Sequence, residues 1–284
     1  MKIARMTRLI RRRSRAAVAL HRLHHLWQQG EYEEVEAGAR ALEAQAARRR
    51  RRARGLAVEW HAKALATAAA CAHGRGAQVL AELESLAAEL KGATGSGRTL
   101  LLMVRNNHMM VLGHLGRYRE AEAAGLDLLR ELARLKHLAS VWDIELCALG
   151  NLADALYDQA RYEEAEAIAR GNLPRAEGAA LASLHCTLVR SLSGQGRHDE
   201  ALTEARRFVP RWDRGQSGSL GLATAGALHG LGRLDEAEAA ARQALTDCER
   251  FLHPDHPRIR EVHTLLARIT ADEPPTPTAG EAAH

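Results

Sequence analysis

A short turn motif that recurs six times constrains the fold of this chain more than any other feature. Its copies begin at Gly30, Gly74, Gly116, Ala160, Gly196 and Gly232. They are 44, 42, 44, 36 and 36 residues apart, and a leucine lies four residues before every copy except the second, which has Ala70. Self-similarity at such a period is typical of stacked helical hairpins, in which the glycine lets the chain reverse. The motif therefore predicts a repeat protein.

The composition favours helices along the whole chain. Hydrophobic residues make up 46% of the sequence but aromatic residues only 4%, because alanine and leucine supply most of the apolar surface. No useful length alternates with a period of two, so strands are not expected. Cys71, Cys147, Cys186 and Cys248 lie singly, without Cys-x-x-Cys spacing. We expect buried thiols in a reducing compartment, with no disulfide framework, metal or cofactor.

The clearest copy of the motif opens the segment Leu231–Ala267. Its pattern predicts an amphipathic helix from Asp235 to about Leu252 and a break at His253–Pro257. A further helix, Arg258 to Ile269, would follow and cap the last hairpin. Pro257 suits the first position of that helix, because its fixed φ matches helical geometry and its missing N–H is not needed there.

This segment resembles a tetratricopeptide repeat (TPR) of the kinesin-light-chain type. The residues in register are Gly232, Glu236, Ala237, Ala244, Leu245, Leu252, Pro254, Asp255, His256, Pro257, Leu266 and Ala267. The resemblance implies an all-α fold, a right-handed TPR superhelix (α-solenoid) of about six helix-turn-helix units plus a C-terminal capping helix. We expect the solenoid to cover residues 16–270, between a basic segment (1–15) and a disordered tail (271–284). The second copy, Gly74-Arg75-Gly76, is degenerate.

The same resemblance implies that the first helix of each hairpin lines a concave groove, where paired asparagines bind the main chain of an extended peptide. An asparagine suits this role because its amide both donates and accepts hydrogen bonds. The candidate groove residues are Asn106, Asn107, Met110, His114, Asn151, Asp154, Tyr157, Asp158, Thr187 and Arg190. For Asn151 the alternative is that it satisfies a neighbouring helix end.

No catalytic site can be assembled from the sequence. The stretch Gly92–Thr99 nearly matches a phosphate-binding loop, but a helical pattern precedes it where that loop needs a strand, so we expect a connection between hairpins. His21, His24 and His25 have the spacing of metal ligands on a helix, yet no carboxylate or cysteine lies near them in sequence. We interpret them as surface residues and expect no enzymatic activity.

Positive charge is concentrated near the start of the chain. Residues 1–55 contain 15 lysines and arginines against 5 glutamates, including the run Arg48, Arg49, Arg50, Arg51 and Arg52. The run is interpreted either as a solvated helix end or, together with Arg11, Arg12, Arg13 and Arg15, as a surface for an anionic partner. Binding to nucleic acid is possible but not favoured, because no aromatic residues are interleaved to stack on bases. Only four of the 40 basic residues are lysines, a bias typical of GC-rich bacterial genomes.

The predicted function is that of a non-enzymatic scaffold or adaptor that binds a protein or peptide partner in its groove. The alternatives are a regulator that associates with nucleic acid or an acidic partner through the arginine-rich end, and a peptide-sensing regulatory protein. The apolar run at 16–20 is too short for a signal peptide, and no apolar stretch reaches the length of a membrane span. We therefore expect a cytoplasmic protein without membrane contact. The sequence leaves the oligomeric state open.

Overall fold

All the regular structure in the described part of the chain is helical. The computed structural model describes residues 16–48, 53–135, 141–207 and 214–271. Its helices fall into two compact units, an N-terminal unit (Met1–Val104) and a C-terminal unit (Arg105–His284). The predicted basic segment 1–15 and all but the first residue of the predicted tail 271–284 lie outside the described residues.

The N-terminal unit consists of helices that pair in chain order. These are α1 (16–28), α2 (Tyr32–Ala47), α3 (Ala53–Ala72), α4 (Gly76–Glu89) and the start of α5 (Ser96–His114). Its core joins α1, α2 and α3, where Leu23 packs on Ala39 and Ala62. The degenerate second copy of the motif forms a helical hairpin like the others, with Gly74 at its turn. Helix α5 begins inside the predicted connection Gly92–Thr99, and α4 precedes it.

The C-terminal unit contains the rest of α5 and eight further helices. These are α6 (Tyr118–Arg134), α7 (Trp142–Tyr157), α8 (Tyr162–Asn172), α9 (Gly178–Gly194), α10 (His198–Arg207), α11 (Ser219–Gly230), α12 (Leu234–Phe251) and α13 (Pro257–Thr270). Helices α7, α9 and α11 each pack on the helix that follows, and the three also pack on one another in order. Such nearest-neighbour contacts are the signature of a solenoid.

The hairpin turns are built as the motif predicts. Five turn glycines have φ between 69° and 95°, in the left-handed region that glycine enters without cost: Gly30, Gly74, Gly116, Gly196 and Gly232. The fourth turn instead has Ala160, at φ 59°, which is the one non-glycine residue with positive φ among those described. The turn backbone imposes the same conformation whichever residue occupies it.

Replacing Ala160 by glycine is expected to raise the free energy of unfolding by about 1 kcal/mol, because the left-handed conformation costs a residue with a Cβ about 1–2 kcal/mol. Gly196→Ala is the matched reverse change, since no atom lies within 4 Å of the Cβ it would add. That variant should lose about the same amount. Urea unfolding followed by helicity measures both. A destabilised Ala160→Gly would contradict the assigned turn.

Large and small residues alternate at fixed positions to form the core of the C-terminal unit. Five residues after each turn lie Ala121, Ala165, Ala201 and Ala237, all completely buried. Four residues before each turn lie Leu112, Leu156, Leu192 and Leu228, at most 7% exposed. The alanines let the second helix of a hairpin approach closely, and the leucines fill the space between neighbouring hairpins.

Ion pairs connect one hairpin to the next at equivalent sequence positions, and we call them the ion-pair ladder. The arginine after a turn binds a glutamate in the preceding hairpin: Arg161 contacts Glu122 at 2.7 Å and Arg197 contacts Glu166 at 2.7 Å. Gln159 and Gln195, just before those turns, donate to the same two carboxylates at 2.9 and 2.7 Å. In the N-terminal unit Arg75 contacts Glu36 in the same way. Hydrogen bonds from Gln159 and Arg161 hold the pKa of Glu122 below its usual value.

Candidate functional site

The C-terminal unit contains a cavity of about 560 Å³. Its walls come from the first helices of successive hairpins, α5, α7, α9 and α11, together with α13 and with Tyr118 at the start of α6. The position six residues before each turn lines it in all four hairpins, as Met110, Asp154, Arg190 and Gly226. One repeated sequence position therefore builds a surface whose chemistry changes from hairpin to hairpin.

Two glycines in the walls create part of this space. Gly113 in α5 and Gly226 in α11 both line the cavity, and a Cβ added to either would have no atom within 4 Å. Glycine inside a helix costs about 0.5–1 kcal/mol relative to alanine. Close packing does not require it at these two positions. Their effect is to leave room in the cavity.

A single arginine holds the charged groups of the cavity together. The Arg190 guanidinium of α9 lies 4.0 Å from Asp154 on α7, 3.5 Å from Asp158 at the end of that helix, and 3.8 Å from Glu261 on α13. It also stacks over the Tyr157 ring, 4.2 Å from the centroid. We call Asp154, Asp158, Arg190 and Glu261 the Arg190 cluster. It ties three helices of the array to one cation.

Burial alters the acid–base behaviour of the two aspartates. It raises the pKa of Asp158 to about 6, although the positive charge of Arg190 acts in the opposite direction. It also raises the pKa of Asp154, while Arg190 and a 2.5 Å hydrogen bond from the Thr187 hydroxyl favour the ionised carboxylate. Ionising either carboxylate in the folded protein therefore has a cost in folding free energy.

Helix α13 forms the opposite wall of the cavity. The ring of His256, the residue before this helix, lies 6.0 Å from the His114 ring of α5, centroid to centroid, and His256 Nδ1 accepts a hydrogen bond from the Arg258 backbone N–H. The Arg258 guanidinium donates to the carbonyl oxygens of Gly215 and Ser217 at 3.0 and 2.9 Å. Burial, with a smaller contribution from Arg258, lowers the pKa of His114 to about 4, so this imidazole is neutral.

Most of the predicted groove residues lie together in the cavity wall. Those that line it are Met110, His114, Asn151, Asp154, Tyr157, Asp158 and Arg190. Thr187 is buried behind Asp154 and borders a smaller cavity of about 60 Å³. Asn106 does not line the large cavity and accepts a hydrogen bond from Asn151 at 3.1 Å. Asn107 is half-buried on α5 and also lies outside the lining.

The α13 residues and Tyr118 were not predicted as part of the site. We predicted α13 as a cap, whereas its Arg258, Glu261 and Arg268 face the cavity. A signal was present, because Leu266 and Ala267 match the first-helix pattern of the repeat and so place α13 in register with α5, α7, α9 and α11. Counting along α13 as in those helices places Arg268 at the position that Met110, Asp154, Arg190 and Gly226 occupy.

A serine–histidine pair borders the cavity but does not have the surroundings of a catalytic pair. Ser193 Oγ lies 3.0 Å from His198 Nδ1. Ser193 is in the last turn of α9, where the exposed backbone groups are carbonyls, whereas an oxyanion needs N–H donors. The His198 ring packs against Gly230, and burial lowers its pKa. The geometry favours a structural hydrogen bond between α9 and α10.

The predicted arginine surface lies largely outside the described residues, because residues 49–52 are not among them. Arg48 is described and is exposed at the end of α2.

Across the described ranges, no helix is both long and apolar enough to cross a membrane. Within the same ranges, no three histidine, cysteine or carboxylate side chains are grouped so that they could hold a metal ion.

Two segments of the chain match the family model of a tetratricopeptide repeat, residues 148–178 and 225–258. The first covers most of α7 and all of α8, and the second runs from α11 through α12 to the start of α13. These matches support a tetratricopeptide-repeat protein, in agreement with the helical array. No curated protein and no solved structure matches the chain.

Proposed function

We propose that the C-terminal unit is a non-enzymatic binding module that holds an extended segment of a protein or peptide partner in its cavity. The observation that carries the proposal is the cavity itself, of about 560 Å³ and lined by the same position in four successive hairpins. A wall with a period of one hairpin suits a ligand that is itself a chain, because successive helices meet successive residues. Tetratricopeptide repeats generally mediate interactions between proteins.

Seven of the predicted groove residues are proposed to contact the segment directly: Met110, His114, Asn151, Asp154, Tyr157, Asp158 and Arg190. Asn151 is the main-chain binding amide in this arrangement, and its bond to Asn106 fixes its orientation. Thr187 holds Asp154 by its hydrogen bond and acts as a positioning residue. Asn107 has no place in the proposed contact surface.

Filling the cavity is expected to abolish binding without weakening the fold. In Gly226→Phe the new ring would enter the cavity from a helical position with no atom near its Cβ. Helix propensity also rises when glycine is replaced, by a few tenths of a kcal/mol. Peptides selected from a displayed library of random twelve-residue sequences on the native protein serve as probes. Their affinity for Gly226→Phe, measured by fluorescence anisotropy, should fall at least tenfold.

The matched control is Gly171→Phe. Gly171 is also in a helix, α8, with no atom within 4 Å of an added Cβ, but it is exposed and does not line the cavity. This variant should bind the selected peptides as the native protein does. Equal binding by Gly226→Phe and Gly171→Phe would show that the peptides bind elsewhere and would sink the proposal.

A further inference from the structure

The largely buried Asp158 carboxylate faces more negative than positive charge. One guanidinium, Arg190, faces it, at 3.5 Å. The other groups facing it are negative or aromatic: Asp154 one turn earlier on α7, Glu261 on α13, and the rings of Tyr118, Tyr157 and Tyr162. Within the Arg190 cluster three carboxylates thus face one guanidinium at 4.0 Å or less, and the charge of Arg258 also reaches Asp154.

The contacts of that cation are long. Its nitrogens lie 3.5, 3.8 and 4.0 Å from the three carboxylates, whereas surface pairs of the same chain, such as Arg161 with Glu164, are 2.6 Å apart. A charge-assisted hydrogen bond of full strength is about 2.7–2.9 Å long, and each ionised carboxylate has about four acceptor sites. The carboxylates of Asp158 and Glu261 therefore have acceptor capacity that Arg190 does not fill.

An aromatic ring stands beside the two carboxylates. Tyr118 lines the cavity. Burial raises the pKa of its hydroxyl, and the negative charges of Asp158 and Glu261 raise it further. Two acceptor groups with an aromatic side chain nearby suit a lysine or arginine side chain. A partly enclosed position strengthens both kinds of contact, because water screens them less.

We propose that Asp158, Glu261 and Tyr118 form a cation subsite, which receives one lysine or arginine side chain of the bound peptide. The inference rests on the proposed function, since it assigns a residue type to one position of the segment. The side of the cavity near His114 has the opposite charge, and this difference determines where the basic residue binds. Beside neutral His114 lie Arg258 and Arg260 of α13, and they repel a second cation there. A basic residue is therefore favoured beside Asp158 and Glu261 rather than beside His114.

The test is a double-mutant cycle between peptide and protein. Each lysine or arginine of the selected peptides is changed in turn to glutamine, and the affinities are measured for the native protein and for Asp158→Asn combined with Glu261→Gln. We expect one basic residue whose removal weakens binding to the native protein at least tenfold but to the double variant less than threefold. Asp127→Asn combined with Glu238→Gln is the control, because neither residue lines the cavity. It should behave as the native protein does.

The outcomes separate this inference from the proposed function. Peptides that Gly226→Phe excludes, but that bind equally well after every basic residue has been neutralised, would overturn the cation subsite and leave the binding module standing. Peptides that Gly226→Phe does not exclude would overturn both. Should the double variant unfold, Asp158→Asn alone supplies the comparison, since Arg190 then retains Asp154 and Glu261.

Discussion

Replacing Arg190 by glutamine is expected to destabilise the C-terminal unit more at pH 7 than at pH 5. The change leaves Asp154, Asp158 and Glu261 facing one another without their shared cation. Removing one partner of a fully buried ion pair costs about 3–5 kcal/mol, and we expect about 2–4 kcal/mol here because the Arg190 side chain is 24% exposed.

The pH dependence follows from the raised pKa of Asp158, about 6 in the folded protein. A carboxyl group whose pKa is raised by folding binds its proton more tightly in the native state, so its unfavourable contribution decreases as the pH falls through about 6. Without Arg190 the pKa of Asp158 rises further, and the loss should be smaller at pH 5. Urea unfolding at the two pH values measures the difference.

Arg242→Gln is the control for this prediction. Arg242 pairs with Glu238 on the surface and its side chain is 70% exposed, so its removal should cost less than about 1 kcal/mol at either pH. A loss for Arg190→Gln that is the same at pH 5 and pH 7 would show that the arginine acts through packing on Tyr157 rather than through its charge.

The second large effect is expected for Gly218→Ala, at the start of α11. Gly218 has φ 73°, and an added Cβ would lie 2.6 Å from the carbonyl oxygen of Ala244 in α12 and against the sulfur of Cys248. The left-handed conformation costs about 1–2 kcal/mol and overpacking against a helix backbone a further 1–3 kcal/mol, so we expect a loss of about 3 kcal/mol. Thermal unfolding followed by circular dichroism measures it.

Gly232→Ala separates the two contributions. Gly232 has φ 69°, close to that of Gly218, but no atom lies within 4 Å of its added Cβ. It should therefore lose only the conformational part, about 1–2 kcal/mol. If Gly218→Ala and Gly232→Ala were equally stable, the close approach of α11 to α12 at Gly218 would be refuted.

The helices and turns could be predicted from the sequence because they depend on residues close together in the chain. A turn glycine with a leucine four residues before it and an alanine five residues after it specifies one hairpin. The same spacing of leucine and alanine identified the turn at Ala160. In the structure Ala160 has the left-handed conformation of the turn glycines. The predicted helix ends differ by about one residue from those observed, for example Leu234–Phe251 against the predicted Asp235–Leu252.

The cavity was only half predictable. Residues of α7 and α9, such as Asp158 and Arg190, followed from their positions in the repeat. The contact between His114 and His256 did not, because it depends on how far successive hairpins rotate, and small packing differences at every junction accumulate in that rotation. Asn107 matches the family position but lies outside the lining.

The ladder of glutamates and arginines makes neighbouring hairpins exchangeable. Removing residues 197–232, a segment of 36 residues, would join Gly196 directly to Arg233. Arg233 would then stand where Arg197 stands now, opposite Glu166, and Gln195 would keep its place beside the same carboxylate. The new junction would carry the same charges as the old one. At the level of this contact the segment 197–232 can therefore be lost without leaving an unmatched charge at the join.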